Sequence, residues 1–516
     1  MNGADRLCDT LLVNGIDVCF ANPGTSEMHF VAALDRRPEM RCVLGLFEGV
    51  ATGAADGYGR MKGRPAATLL HTGPGLANGL ANLHNARRAR TPLLNIVGDH
   101  AAYHLPYDAP LTTDIDSLAR PMSNFVRRID GPEDVGPGAE AAIRAAIEMP
   151  GVATLILPAD SAWGAVASAE IRPAAIASAP IVDEAEIAAI ADTIADAGSR
   201  AGLLLAGTAA RGEALAAAGR IAARTGARLF AEVLNGRGER GGARPALERI
   251  PYPIDLARAA LADLTVLILV GAREPVAFFG YPDKPSRLLP DACRVVTLAT
   301  AGDAMSDALE RLADRLGAKV PASTPGRAVQ PGLPRGALTE DGVSIITAAF
   351  LPDEAIVCDE GLTSGRRFYP LSEGGPRHDY MMCTGGAIGI GIPLSVGAAI
   401  ACPDRKVVTL QADGSGMYTL QGLWTAARER LDILVIVFAN RAYAILRAEM
   451  QNVGVNQFGH NAGRMLSLDD PALDWVHLAK GMGVEAARAE TAERFADLYR
   501  GALGRKGPFL IEAVIA

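Results

Sequence analysis

Residues 406–415 read Lys406-Val-Val-Thr-Leu-Gln-Ala-Asp413-Gly414-Ser415, and 25 residues separate Gly414 from Asn440, which ends the apolar run 431–439. A short β-branched run that stops at small, polar residues reads as a buried parallel strand over 406–411, with Asp413 at its carboxyl end. From Met417 to Arg430, Leu420, Leu423, Trp424 and Ala427 recur at helical spacing, and 431–439 (LDILVIVFA) reads as a second buried strand. Strand, loop, helix and strand make one unit of an open parallel sheet, in which ligands bind outside the carboxyl ends of the strands. Asp413 and Asn440 are two oxygen donors placed there to share one hard cation. Mg²⁺ takes few protein ligands plus phosphate oxygens, and Gly414 lets backbone approach a diphosphate. Asp-Gly-Ser alone is an ordinary turn signal; the spacing to Asn440 singles it out.

An Asp-Gly followed at this distance by an Asn closing a strand resembles the thiamine-diphosphate motif. The chain as a whole resembles thiamine-diphosphate-dependent enzymes of the acetolactate synthase and benzoylformate decarboxylase group. Their usual pattern opens Gly-Asp-Gly and closes Asn-Asn; Ala412 and Ala439 replace the first residue of each pair and spare Asp413 and Asn440. The resemblance implies thiamine diphosphate and Mg²⁺ as cofactors. The metal would be held by Asp413, Asn440 and the backbone carbonyl of Ala442, with Gly414, Ser415 and Tyr443 at the cofactor.

At 516 residues the chain suggests three domains, each long enough to bury a core. Ala-, Pro- and Ser-rich linkers at 167–183 and 318–336 divide it. The expected fold is α/β, with three doubly wound parallel-sheet domains: pyrimidine-binding over 1–168, central and Rossmann-like over 184–317, and diphosphate-binding over 337–516. A net charge of −8 without a long basic run argues against nucleic acid as a partner. No apolar run reaches the roughly 18 residues of a membrane span. Seven scattered cysteines without a Cys-x-x-Cys pair read as free thiols in a reducing compartment. The expectation is a cytoplasmic protein.

Apolar runs over 16–21, 42–47, 66–71, 93–97 and 153–157 alternate with helical segments in the first domain, and polar groups gather at three strand ends: Thr25 with Ser26, Glu48, and His71 with Thr72. Glu48 opens a helix of small residues that can pack closely against a partner, and its bland role is to favour that helix's N-terminal dipole. In the family a glutamate precedes Ala-Asp-Gly-Tyr-x-Arg, matched here by Glu48, Ala55-Asp56-Gly57-Tyr58 and Arg60. That resemblance implies that Glu48 hydrogen-bonds the pyrimidine nitrogen of the cofactor. His71 stands where benzoylformate decarboxylase has a histidine and acetolactate synthases have none. Thr25 falls where that decarboxylase has a serine contacting the substrate carboxylate. His100 and His104, spaced i, i+4, lack a third partner and read as surface residues rather than metal ligands.

The central segment has Rossmann-like runs at 202–206 and 264–270 without a Gly-x-Gly-x-x-Gly fingerprint, so it reads as a structural domain. Some family members bind FAD or a nucleotide there. Phe279 stands where the decarboxylase has a second catalytic histidine. In the third domain, 355–358 reads as a strand ending at Asp359-Glu360. Within Thr384-Gly-Gly-Ala-Ile-Gly389 the resemblance makes Ile388 the wedge that bends the cofactor and Gly386 the acceptor for its amino group. Thr72, Phe279, Ile445 and Glu449 would line the substrate pocket. The implied activity is non-oxidative decarboxylation of a 2-oxo acid, with Glu48, His71, Thr25 and Ser26 as catalytic residues. The alternatives are an acetolactate synthase-like carboligase and a catalytically silent paralogue. In this family Glu48 and Asp413 act across two subunits, which implies a homodimer at minimum and a homotetramer beyond it.

Overall fold

In the computed structural model, which describes residues 1–167, 170–319 and 331–515, the buried apolar runs become strands of three sheets. β1 (Val18–Asn22), β2 (Arg41–Leu44), β3 (Ala67–His71), β4 (Leu93–Asp99), β5 (Phe125–Arg128) and β6 (Val152–Pro158) form the first, parallel throughout, in the order β2-β1-β3-β4-β6-β5. Next come β7 (Ala201–Leu205), β8 (Arg228–Ala231), β9 (Gly238–Arg240), β10 (Glu248–Arg249), β11 (Val266–Val270) and β12 (Arg294–Ala299). All but β9 make the parallel central sheet, in the order β10-β8-β7-β11-β12. The third sheet takes β13 (Ala355–Glu360), β14 (His378–Met382), β15 (Val407–Ala412), β16 (Ile433–Ala439), β17 (Glu485–Ala489) and β18 (Phe509–Val514), in the order β17-β18-β16-β15-β13-β14-β9.

Strand order reverses between β1 and β3, between β7 and β11, and between β13 and β15; the first and third sheets also turn back at an edge, where β5 lies outside β6 and β17 outside β18. Loops leaving such a pair diverge and open a crevice at the carboxyl edge. The sequence motifs fall on the first and third crevices.

Three features depart from the sequence expectation. β5 is a half-buried edge strand whose Phe-Val-Arg-Arg composition carries no clear alternation. β9 leaves the central sheet and pairs antiparallel with β14, because Arg240 is buried over the Tyr369 ring and donates to the Tyr369 carbonyl. The helix expected over 417–430 forms only over Gly422–Arg428, residues 417–421 being turns and bends that join it to the Asp413 loop, whose residues Asp413–Gly416 form a single helical turn. The first linker holds no helix or strand over 170–183, and most of the second lies outside the described residues.

One apolar core runs from Phe20 and Val97 through Ala54 and Leu394 to Val407 and Val437, so the first and third sheets share it. Its centre is a contact between the helices Glu48–Lys62 and Gly391–Ala401. A Cβ on Gly397 would lie 1.8 Å from the Ala54 carbonyl oxygen, and one on Gly57 would lie 2.1 Å from that of Leu394. The small-residue helix thus finds its close partner within the same chain. Arg60 fastens the joint: it is buried, pairs with Asp56 at 2.5 Å, and donates to the carbonyls of Met382 and Gly236 and to Thr384 Oγ1. No helix among the described residues is long and apolar enough to cross a membrane.

Candidate active site

The loops after β1 and β3 share the first crevice. Asn22-Pro-Gly24 leads into a short turn over Thr25–Glu27, and Gly24 lies flat on the His71 imidazole, where a Cβ would come within 2.2 Å of the ring. Glu27 folds back beneath this turn and is 3% exposed. Its Oε2 accepts from the Gly24 N–H at 2.7 Å and lies 2.9 Å from His71 Nδ1. Burial pushes the Glu27 acid above the ordinary carboxyl range, against the opposing effect of the Gly24 amide and of His71. Its Oε1 is buried without a partner. Glu27 Oε2 is thus placed to accept a hydrogen carried on His71 Nδ1. Thr25 is exposed and Ser26 half-buried on the rim. Thr72 is buried with φ +51°, strained for a β-branched residue, and its hydroxyl has no partner.

Glu48 is the first residue of its helix, and its carboxylate accepts from Asn78 Nδ2 at 3.0 Å. Asn78 belongs to the helix Thr72–Ala89, whose Asn82 and Asn85 continue the same face one and two turns on. Asn82 Nδ2 donates to the carbonyls of Gly49 (2.7 Å) and Gly389 (3.4 Å). Asn85 donates to the Ala387 carbonyl and accepts from the Gly385 N–H. This face ties the Glu48 end of the first domain to the 385–389 turn, in which Ile388 is half-buried between the left-handed Gly386 (φ +74°) and Gly389 (φ +94°).

At the third crevice Asp413 is 2% exposed. Its oxygens accept from the N–H groups of Gly414 (2.8 Å) and Arg441 (2.7 Å), and it makes no salt bridge, so burial pushes its acid up to about 6. Asn440 follows β16; its Oδ1 accepts from the Ala442 N–H and its Nδ2 donates to Ser364. Ser415 is buried. The Tyr443 ring covers Gly414, where a Cβ would meet it at 2.6 Å. Leu362 and Arg441, at the ends of β13 and β16, are also left-handed (φ +48° and +56°), as Thr72 is at the end of β3. Three of the eight non-glycine residues with positive φ among the described residues thus lie where these strands deliver their loops. The site fits the expected metal: a buried carboxylate without a cationic partner, beside an amide oxygen, is a donor set for Mg²⁺. No cluster of three or more His, Cys, Asp or Glu suited to a metal occurs among the described residues. His100 and His104 contact only as rings, 5.5 Å apart.

Opposite lies the 275–281 loop of the central segment. Phe278 Cζ would meet a Cβ on Gly386 at 2.6 Å, and Phe279 stands 55% exposed with its ring edge on Phe278. Glu449 accepts from the hydroxyls of Tyr252 (3.2 Å) and Tyr281, so its polar wall is built by two tyrosines that sequence spacing does not connect. Ile445 is half-buried one turn earlier on the same helix. A cavity of about 530 Å³ lies elsewhere, at the central crevice: Gly207, Gly271, Arg90, Arg211 and Arg273 line it, and it reaches Thr384 and Gly385.

Residues 1–119 match the family described as thiamine pyrophosphate enzyme, N-terminal TPP binding domain, and residues 362–513 match its C-terminal TPP binding domain. The chain is 52% identical to IlvX of Mycobacterium tuberculosis, a provisionally named acetolactate synthase large subunit, over 100% of this chain and 99% of that one. It is 29% identical to the benzoylformate decarboxylase of Pseudomonas aeruginosa, covering 97% and 96% of the two. Among solved structures, the thiamine diphosphate-dependent 4-hydroxybenzoylformate decarboxylase of Rhodococcus jostii RHA1 superposes with a TM-score of 0.84 at 25% identity, over 100% of this chain and 99% of that one.

Proposed function

Since the chain belongs to the thiamine pyrophosphate enzymes, we propose that it decarboxylates a 2-oxo acid without oxidation and releases the aldehyde. The observation that carries this is the Glu27–His71 pair: an imidazole at the carboxyl end of β3, half-buried, with its Nδ1 2.9 Å from a buried carboxylate. Thiamine diphosphate supplies, when bound, the carbon nucleophile and the electron sink for the pair left by CO₂. Asp413, Asn440 and the Ala442 carbonyl would hold Mg²⁺, and the backbone at Gly414 and Ser415 would receive the diphosphate beneath Tyr443. Ile388 and the Gly386 carbonyl would orient the aminopyrimidine, and Glu48 would hold a proton on its carboxylate against the ring nitrogen. His71 Nε2 would deliver the proton that ends turnover in an aldehyde, while Thr25 and Ser26 would hold the substrate carboxylate. Thr72, Ile445, Glu449 and the Phe278–Phe279 edge would shape the pocket.

Glu48 and Asp413 of different copies would meet in a dimer, and the dimer would pair into a tetramer. Leu46, beside Glu48, is 46% exposed in the single chain, and Tyr418, beside the Asp413 loop, is 53% exposed; both suit burial by a second copy. The seven cysteines are all free, which suits the reducing cytoplasm. A second reading, carboligation of two 2-oxo acids, is favoured by the name of the 52% identical relative. A panel of 2-oxo acids including pyruvate and benzoylformate, assayed for CO₂ with and without thiamine diphosphate and Mg²⁺, tests the proposal. Cofactor-dependent CO₂ release accompanied by an equal amount of free aldehyde is expected from at least one acid; CO₂ release that ignores the cofactor, or that comes without aldehyde, would refute it.

A further inference from the structure

The helix Gly391–Ala401 has no side-chain cap of its own, so its first N–H groups need acceptors. They find one inside the sheet. Glu360, the last residue of β13 and 1% exposed, accepts from the N–H groups of Gly389 (2.6 Å) and Ile390 (3.3 Å) on Oε1 and of Gly391 (2.8 Å) on Oε2. Across the β13–β15 switch point it is in register with Gln411, whose Nε2 donates to Glu360 Oε2 at 2.9 Å and to Ser415 Oγ at 2.7 Å. Gln411 Oε1 is buried and unpartnered. The amide orientation thus serves the carboxylate and the serine at the expense of its own oxygen. Gly391 permits this: a Cβ there would stand 2.4 Å from Gln411 Oε1.

We infer that Glu360 is a positioning residue for the cofactor's thiamine end, holding the 386–391 turn in register with the Asp413–Ser415 loop through Gln411. The inference rests on the proposed cofactor site. A Glu360→Gln side chain would present an N–H₂ group to a cluster of donors, so the turn would shift while the Asp413 loop kept its own bonds. Gln411→Met removes the bonds to Glu360 and Ser415, and the long one to the Ala412 carbonyl (3.5 Å), at nearly constant volume.

Calorimetric titration separates the two halves of the site. Thiamine diphosphate with saturating Mg²⁺ reads the turn and the loop together; inorganic diphosphate with Mg²⁺ reads the loop alone. Wild-type protein is the control, and failure of wild type to bind thiamine diphosphate would refute the cofactor site itself. With wild type binding, Glu360→Gln is expected to weaken thiamine diphosphate at least about tenfold and inorganic diphosphate less than about twofold, one hydrogen bond to a charged group being worth roughly that factor or more. Gln411→Met is expected to weaken thiamine diphosphate several-fold, and it carries the test if Glu360→Gln does not fold. Unchanged thiamine diphosphate binding in the folded variants overturns the inference. So does an equal loss for both ligands that parallels a fall in the urea midpoint of the unliganded protein.

Discussion

Glu27 Oε2 lies 2.9 Å from Nδ1 of His71, and the same oxygen accepts the Gly24 N–H. The pairing commits Nδ1 to the carboxylate, so under the proposed function Nε2 is the nitrogen left for the substrate. Glu27→Gln would keep the shape but could no longer take a proton from Nδ1. The expected result is a 10- to 100-fold fall in kcat, by analogy with the roughly 10²–10⁴ attributed to general acid–base groups. The pH–rate profile should change shape and thiamine diphosphate affinity should not. Steady-state kinetics across pH checks both.

Gly397→Ala should destabilise the fold, because its Cβ would lie 1.8 Å from the Ala54 carbonyl oxygen in a contact between two backbones. Overpacking of this kind costs about 1–3 kcal/mol or more. Urea unfolding should show a lower midpoint.

His378 is buried, with Nδ1 against the Pro376 carbonyl and Nε2 unpartnered. Burial lowers its pKa from the ordinary 6.5 to about 4. Between those values the unfolded chain holds the extra proton, so stability is full above about pH 6.5 and falls as pH drops toward 4. The slope approaches about 1.4 kcal/mol per pH unit and the total is about 3 kcal/mol. His378→Asn keeps a donor for the Pro376 carbonyl and cannot titrate; its urea midpoint should fall less than that of wild type between pH 7 and pH 4.5.

Asp413 lacks a cationic partner, so a divalent ion should stabilise the protein only while that carboxylate is present. Thermal unfolding with thiamine diphosphate at 100 times its Kd should show about 2.7 kcal/mol of stabilisation with Mg²⁺. EDTA should remove most of it, and Asp413→Asn should not regain it on adding Mg²⁺.

Much of the third sheet is legible in the sequence, because β15 and β16 are short runs rich in β-branched and apolar residues, as a strand buried on both faces requires. The small residues of the Glu48–Lys62 helix likewise announce a close contact, although its partner, Gly391–Ala401, is more than 300 positions away. What is not legible depends on which strands become neighbours. Glu27 belongs to no sequence motif; it closes the short turn after Gly24, and only the β1–β3 pairing brings it under His71. Glu360 and Gln411 meet through the β13–β15 register in the same way. That Phe278 rather than its neighbour lies against Gly386 is likewise not legible, because a loop without periodicity gives no sign of which aromatic turns inward.

The most direct test is the product formed from a 2-oxo acid that the protein consumes, followed by proton NMR with thiamine diphosphate and Mg²⁺ present. The Glu27–His71 site predicts free aldehyde in one-to-one proportion with CO₂, and loss of that product in His71→Ala. A 2-hydroxy-3-oxo acid such as acetolactate, formed without free aldehyde and unaffected by His71→Ala, would contradict it.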